Sequence, residues 1–349
     1  MNKKLKVAIA FNEANPDLYV RPAITDPKEM NFVPYFEVEN LTPIEEYEIL
    51  VKRLNSAGFD AYSFNLQDDL NSLLIDVKKN KPDVIFNFIE LYKENSRLEM
   101  NMVGVLELLG IPYTGAPPIS LANCQNKVLA KRILNTQGIN TPKFMLVKEN
   151  HGNLKHNLKF PLIVKPAFED ASVGIENDSI VENNKQLLKR INYVHQSFLQ
   201  PALIEEFIEG RELNVAIFGN SNPVALPISE IDFSQMPEHL FDIVSYQAKW
   251  DPNHEAYHKT IPSCPANLPI EIEMKAKEIA IASFKAMECR DYCRVDMRLT
   301  KDNEIFVLEV NPNPDLTEGA GFMRSAEAAG YTFDQVLEKI IGFALDRKN

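Results

Sequence analysis

Arg294-Val295-Asp296-Met297-Arg298 and Leu308-Glu309-Val310-Asn311-Pro312 are two short segments in which polar and apolar residues alternate. Successive side chains of a strand point to opposite faces. Arg294, Asp296 and Arg298 therefore share one face of the first segment, and Glu309 and Asn311 one face of the second. Paired antiparallel, the strands would offer two carboxylates and one amide oxygen beside a cation. Magnesium takes hard oxygen donors of this kind, commonly few from the protein and the rest from nucleotide phosphates. The same pattern also describes a solvated sheet face with ordinary salt bridges, so the rest of the chain has to decide.

Upstream, Leu162-Ile163-Val164-Lys165-Pro166 is an apolar strand ending in a cation, a placement that suits a phosphate contact. The loop after it, Glu169-Asp170-Ala171-Ser172-Val173-Gly174, is built of small residues that let backbone N–H groups approach phosphate oxygens, although a plain surface turn reads the same way. Leu203 to Leu213 reads as strand, turn and return strand, with acids alternating with apolar groups. Such a segment suits an adenosine pocket, and it equally describes an exposed acidic hairpin.

The 349 residues are too many for one core, and three regions emerge. Residues 1–122 hold Val7–Phe11 as a buried strand, an irregular stretch with Pro16, Pro22, Pro27 and Pro34, a helix over 44–58, the strand Val84–Phe88 and an apolar helix over 102–110. Strands alternating with helices argue for a parallel α/β layer. Residues 123–203 open with an amphipathic helix, Lys127–Gln137, followed by strands at Phe144–Val147 and Pro161–Lys165. Residues 204–349 carry strands at 202–207, 213–218, 293–298 and 305–310, a helix over 270–287, and a last helix over 332–345 with one apolar face.

A formal charge of −12 with no run of five Lys or Arg argues against nucleic acid and anionic membrane as partners. Val7–Phe11 is too short for the apolar core of a signal peptide, and no apolar run approaches the ~20 residues of a membrane span, so a cytoplasmic location is expected. The four cysteines are scattered and read as reduced packing residues; Cys289 and Cys293 are spaced to share a helical face. His254 and His258 follow Pro252 in a polar, loop-like stretch that argues against a helix presenting both to a metal.

Taken together, Asn126-Lys127 before a helix, Ile163–Pro166, the small-residue loop, Glu205–Glu212, Asp296 and Glu309-Val310-Asn311, in that order, resemble the ATP-grasp fold and within it the D-alanine–D-alanine ligase family. Leu106–Gly115, Tyr246–Lys249 and Cys264-Pro265-Ala266 match as well, and the resemblance runs from about residue 84 to the end. It implies an α/β (α+β) architecture: an N-terminal parallel α/β domain, a small central lid domain and a C-terminal antiparallel-sheet domain. It also implies an ATP-dependent carboxylate–amine ligase. ATP phosphorylates a carboxylate, and an amine attacks the acyl phosphate. Carried over by position, Lys127 and Lys165 fall on the ATP phosphates, with Ser172 in the phosphate loop. Glu205 falls on the adenine amine, with the backbone of Glu206 and Ile208 alongside, and Glu212 on the ribose. Lys249 would reach the γ-phosphate from a closing loop. Asp296, Glu309 and Asn311 would hold Mg2+ (or Mn2+), and Arg294 would steady the tetrahedral species. Related ligases suggest a homodimer.

Departures from the family cluster on the amino-acid side. Where the family continues Pro-Gly-Met-Thr and then a serine turn, this chain has Pro314-Asp315-Leu316-Thr317-Glu318-Gly319-Ala320, with Asp315 for the glycine and Ala320 for the serine. Phe11-Asn12-Glu13-Ala14-Asn15 stands for a Gly-rich segment, Asn87–Glu90 for a His-Gly motif, and Ala171-Ser172 for a serine pair. Glu13, Glu90, Asp315 and Glu318 suggest a substrate with a cationic or amino group, unless they are solvated loop acids. Three functions stay open: a ligase of amino-acid-like molecules, a true D-alanine–D-alanine ligase, and a non-catalytic ATP-binding regulator. Carboxylation would need a biotin carrier or bicarbonate-site motif, and neither is recognised.

Overall fold

A computed structural model describes residues 4–14, 30–35, 42–149 and 154–347. The irregular stretch expected around Pro16, Pro22 and Pro27 lies outside the described residues, as does Asn15.

The chain begins with β1 (Lys6–Phe11), α1 (Pro43–Ser56), β2 (Asp60–Asn65), α2 (Leu70–Asn80) and β3 (Val84–Phe88). The three strands form a parallel sheet in the order β2-β1-β3. A Thr42–Glu45 capping box starts α1, each side chain satisfying a backbone N–H at the helix entry. Three helices follow: α3 (Glu99–Leu108), α4 (Pro118–Gln125) and α5 (Lys127–Thr136). The Asn126 side chain accepts from Leu129 N–H and fixes where α5 begins, which sets the direction of Lys127.

The second sheet is antiparallel and contains β4 (Phe144–Val147), β5 (Leu162–Pro166), β6 (Ile180–Val181) and β7 (Ala202–Glu206) in the order β4-β7-β5-β6, backed by α6 (Asn184–Phe198). The strand that the sequence put at the start of the third region, 202–207, thus pairs with β4 and β5 of the second.

The third sheet holds β8 (Arg211–Phe218), β9 (Val224–Ala225), β10 (Ser229–Asp232), β11 (Ile261–Ser263), β12 (Tyr292–Leu299) and β13 (Ile305–Asn311). Its order is β11-β10-β8-β12-β13, with β9 on β8. Two short helices, α7 (Tyr246–Trp250) and α8 (Glu255–Lys259), and the long α9 (Ile270–Ala286) are inserted among these strands; α10 (Gly321–Ala328) and α11 (Phe333–Asp346) follow. Leu213, Val215 and Ile217 of β8 and Val295, Met297 and Leu299 of β12 pack under α9 and α5 in one apolar cluster. Alternation sends their polar neighbours to the opposite face. Among the described residues, no helix is long and apolar enough to cross a membrane.

Two expectations are corrected. Cys289 follows α9 and Cys293 lies in β12, so no helical face carries the pair; Cys289 instead lies within hydrogen-bonding reach of Cys124 and Cys293, with the Ser120 hydroxyl at 3.3 Å. The stretch after Pro252 does form a helix, α8. The His254 ring accepts from Ala256 N–H as its N-cap, and that local bond is what lets a short polar segment turn helical. His258 is buried, bonded to Pro252 O (2.9 Å) and to Tyr35 N–H (3.1 Å), so the two rings serve separate structural bonds.

Candidate active site

The polar face of the third sheet is fixed by register. Arg298, Asp296 and Arg294 of β12 stand opposite Glu212, Asn214 and Ala216 of β8, while Asp296 and Arg294 stand opposite Glu309 and Asn311 of β13. The pairing shifts between Asp296 and Met297: Met297 meets Val307, so Leu308 is an extra residue in β13. This bulge matters. Strict alternation would place Ile305 and Val307 on the same face as Glu309 and Asn311, yet Ile305, Val307 and Val310 all lie in the core. The extra residue lets the strand bury its first half and still present Glu309 beside Asp296.

Asp296 is densely bonded. Arg294 grips it with Nε (2.7 Å) and Nη2 (2.8 Å), and the side-chain amides of Asn214 and Asn311 each donate to it at 2.8 Å. Burial opposes the Arg294 charge, but Asp296 overrides it and raises the guanidinium pKa. Burial also works to raise Glu309, yet Lys127 (Nζ–Oε2 3.3 Å), Lys165 and Arg294 hold its carboxyl down to about 2. The donor set of Asp296, Glu309 and the Asn311 amide oxygen fits a hard divalent cation in chemistry and ionisation. The four hydrogen bonds on Asp296 use the lone pairs of both its oxygens, so a cation taking this carboxylate displaces one of them. Among the described residues, no cluster of three or more His, Cys, Asp or Glu offers a competing metal site.

Lys165, at the end of β5, and Glu205, in β7, meet at 3.0 Å, and Lys131 completes the group at 2.9 Å from Glu205. All three are buried. Burial alone would raise the Glu205 carboxyl; the two ammonium groups reverse that and keep it lowered. Lys131 also donates to the carbonyl of the bulged Leu308 at 3.4 Å. One helix, α5, thus ties the second sheet to the irregular point of the third. Lys131 is not among the residues the motifs single out, though its position carries a signal: it sits four residues after Lys127, on the same helical face.

Glu206 ends β7, and the turn from it to β8 carries Ile208 and Gly210. A side chain at Gly210 would collide with the Leu299 carbonyl, and its φ of +145° also favours glycine. Arg298 donates to Gly210 O and Glu212 (2.8 Å each) and to Asp242 O (2.5 Å), so it locks the turn and Glu212 against the 233–250 segment. That segment reaches over the small-residue loop. Ser172 Oγ donates to Val244 O (2.8 Å), Trp250 Nε1 to Ala171 O (2.9 Å) and Tyr246 N–H to Ile175 O (2.7 Å). Ala171 and Ser172 both hold positive φ, a conformation that costs residues with a Cβ about 1 kcal/mol each. Lys249, on α7, lies over the Trp250 ring and within electrostatic reach of Glu90.

Of the four candidate substrate acids, three converge. Desolvation, then the fields of Asp170, Asp315 and Glu13, push the Glu90 carboxyl up to about 7 against the pull of Lys249. Glu318 stands apart, paired with Arg53 at 3.0 Å near the surface. Glu99, which no motif points to, joins the three: burial and the nearby Glu90 raise its carboxyl to about 8, and it bonds the side chains of Gln125 (2.6 Å) and Asn313 (3.2 Å). Asn214 was missed too, because a single Asn inside an apolar strand carries no local signal.

Residues 133–342 match the model of the family described as D-ala D-ala ligase C-terminus. A D-alanine–D-alanine ligase of Carboxydothermus hydrogenoformans is 33% identical over 80% of this chain and 90% of its own length. An uncharacterized protein of Sinorhizobium fredii is 31% identical over 75% of this chain and 74% of its own. The crystal structure of a Bacillus anthracis D-alanine–D-alanine ligase complexed with ATP superimposes with a TM-score of 0.69, covering 99% of this chain and 98% of that one at 23% identity, a likeness of fold.

Proposed function

The chain belongs to the D-alanine–D-alanine ligase family, and from that premise we infer an ATP-dependent carbon–nitrogen ligase that joins small amino-acid-like molecules through an amide bond. The observation that carries the assignment of residues is the shared face of β8, β12 and β13, where Asp296, Glu309 and Asn311 stand beside Arg294 and within reach of Lys127. We assign Asp296, Glu309 and Asn311 to a magnesium or manganese ion. The ion would neutralise phosphate charge during phosphoryl transfer, which is mostly positioning and electrostatics.

Lys127 and Lys165 are assigned to the ATP phosphates. Each is paired here with a carboxylate, Glu309 and Glu205 respectively. Binding on this assignment is an exchange of partners: phosphate takes the lysine, and the cation takes Glu309. Glu205, the backbone of Glu206 and Ile208, and Glu212 are assigned to the nucleoside, with Lys131 keeping Glu205 ionised after Lys165 turns to phosphate. Lys249 and Ser172 belong to the cover formed by the 233–250 segment and the small-residue loop, whose closure would keep water from the acyl phosphate. Arg294, held by Asp296, would stabilise negative charge on the tetrahedral species. Glu13, Glu90 and Asp315 are assigned to the amino-bearing side; Glu318 is left out, since Arg53 holds it.

We propose a division at the ends of the sheets, with 1–122 preceding the two nucleotide-binding parts and the second boundary moved past β7. A cytoplasmic homodimer without nucleic acid is in keeping with the acidic composition and the small-molecule chemistry. The test is ADP release from ATP and magnesium in the presence of D-alanine, then of pooled amino acids and amines, with mass spectrometry for a condensed product and Asp296→Ala as control. ATP-dependent condensation that vanishes in the control supports the assignment. ATP binding without stimulated turnover by any pool sinks it in favour of a regulator.

A further inference from the structure

Three of the four cysteines meet where α4, the turn after α9 and β12 pack together, and the chemistry assigned above uses none of them. Cys124 lies near the end of α4, Cys289 in the turn and Cys293 in β12. Ser120 of α4 donates its hydroxyl to Cys289 Sγ at 3.3 Å. Residues four apart share a helical face, so the face of α4 that meets Cys289 through Ser120 also carries Cys124. The Cys124 and Cys289 thiols accordingly lie within hydrogen-bonding reach of each other. We propose that this pair is an oxidation site: a peroxide joins Cys289 to Cys124 as a reversible disulfide, which displaces Lys127 and slows turnover. The effect on turnover rests on the ligase assignment above; the bond itself does not.

The surroundings assign the two roles. Burial works against a charge on Cys289, but donors from Cys124, Cys293 and Ser120 converge on its sulfur and draw the thiol below the usual range. Cys124, as one of those donors and by burial, is pushed up. The thiolate is the nucleophile, and a neighbouring thiol resolves the product. The Cys289 thiolate attacks one peroxide oxygen, the O–O bond breaks and hydroxide leaves, giving a sulfenic acid. The Cys124 sulfur then attacks the Cys289 sulfur; the S–O bond breaks, and the Cys124 proton leaves with that oxygen as water. The two sulfurs lose two electrons in all, and the peroxide takes them up. Cys124 is the partly exposed member of the trio, which gives peroxide a way in, whereas Cys293 is fully buried in the centre of the sheet. A disulfide holds its sulfurs about 2.05 Å apart, well inside the distance of two hydrogen-bonded thiols, so the bond pulls the end of α4 toward the turn. Asn126, which caps α5, and Lys127 follow directly, and Lys127 stands 3.3 Å from Glu309. A misplacement of about 1 Å at such a group is worth up to about 100-fold in rate.

The experiment treats the full chain with hydrogen peroxide and then with dithiothreitol. Three readouts are taken: mass-spectrometric mapping of cross-linked peptides, ADP release, and retention of ATP and magnesium by ultrafiltration. Wild type should show a Cys124–Cys289 link and lose about 10- to 100-fold of its ADP release, and dithiothreitol should restore both. Cys124→Ser and Cys124→Ala should keep the basal rate, form no link, resist the loss, and stop at a Cys289 sulfenic acid that dimedone traps. Cys293→Ala should still form the link. A link between Cys289 and Cys293 instead, or none at all, overturns the proposal. So does a link that leaves turnover intact, or a loss that is equally deep in the Cys124 variants. If no substrate stimulates ADP release, the ligase assignment fails on its own, and the link with ATP retention decides the pair. A link that weakens retention reversibly supports it, and no link, or unchanged retention, overturns it.

Discussion

Replacing Lys131 by Met tests whether the buried Lys131–Glu205–Lys165 group holds the nucleotide side of the cleft together. The substitution keeps most of the side-chain volume and removes the ammonium that lies 2.9 Å from Glu205 and 3.4 Å from Leu308 O. Breaking a buried ion pair by removing one partner costs about 3–5 kcal/mol. Lys165 remains as a second counter-ion, so the lower figure applies, ~3 kcal/mol. At roughly 2 °C per kcal/mol for a chain of this size, the melting temperature should fall by about 6 °C. The pH dependence gives a sharper check. The Glu205 carboxyl is lowered in the folded state, so its stabilisation is present above the ordinary value of 4.5 and is lost as pH falls through the lowered value. Without Lys131 that carboxyl moves upward, and acid destabilisation begins at higher pH. The assay is thermal unfolding by circular dichroism from about pH 2 to 8, which spans the acid limb, with Glu205→Gln and the double variant closing a cycle. Unfolding of Lys131→Met within about 1 °C of wild type and an unshifted acid limb would refute the reasoning, since a pair worth less than ~0.5 kcal/mol is a solvated one.

Asp296→Asn preserves shape but removes the charge that Arg294 and the proposed metal share, so ADP release should fall at least about 100-fold, and the melting temperature should fall too because the largely buried Arg294 guanidinium loses its carboxylate. Glu99→Gln replaces a carboxyl raised to about 8 with a group that cannot ionise. In wild type the protonated form is favoured by folding, and that advantage is lost as pH rises from 4.5 toward 8; the variant's relative stability, followed by urea unfolding, should therefore grow over that window and then level off. Gly210→Ala forces a Cβ against the Leu299 carbonyl and should cost more than ~2 kcal/mol by the same measurement. Trp250→Phe removes the bond to Ala171 O, and amide hydrogen exchange at residues 171–175 should quicken about five-fold, the worth of one hydrogen bond near 1 kcal/mol.

Much of this was legible in the sequence because it depends on period and order. Alternation in β12 correctly put Arg294, Asp296 and Arg298 on one face, and the parallel N-terminal layer followed from strands separated by helices. The Leu308 bulge was not legible. The sharing of a face by Glu309 and Asn311 came out right, but period two alone would have exposed Ile305 and Val307 with them, and only packing under α9 reveals the extra residue. Lys131 and Glu99 escaped because each is defined by partners distant in sequence, Glu205 and Asn313. Glu318 illustrates the converse: an acid beside a motif looked poised for substrate, and Arg53, from a helix near the other end of the chain, had already claimed it.

The carboxylate partners of Lys127 and Lys165 have a bearing on turnover. If the lysines hold nucleotide phosphates as assigned, the metal engages Glu309, but Glu205 remains within reach of Lys165 throughout and competes with the spent nucleotide for that cation. Such a competitor lowers the affinity for every phosphate-bearing state, but it also hastens departure of the last one. Glu205→Gln silences that competitor but also gives up the nucleoside contact assigned to Glu205, so adenine-free tripolyphosphate should be held longer by the variant while ADP is not.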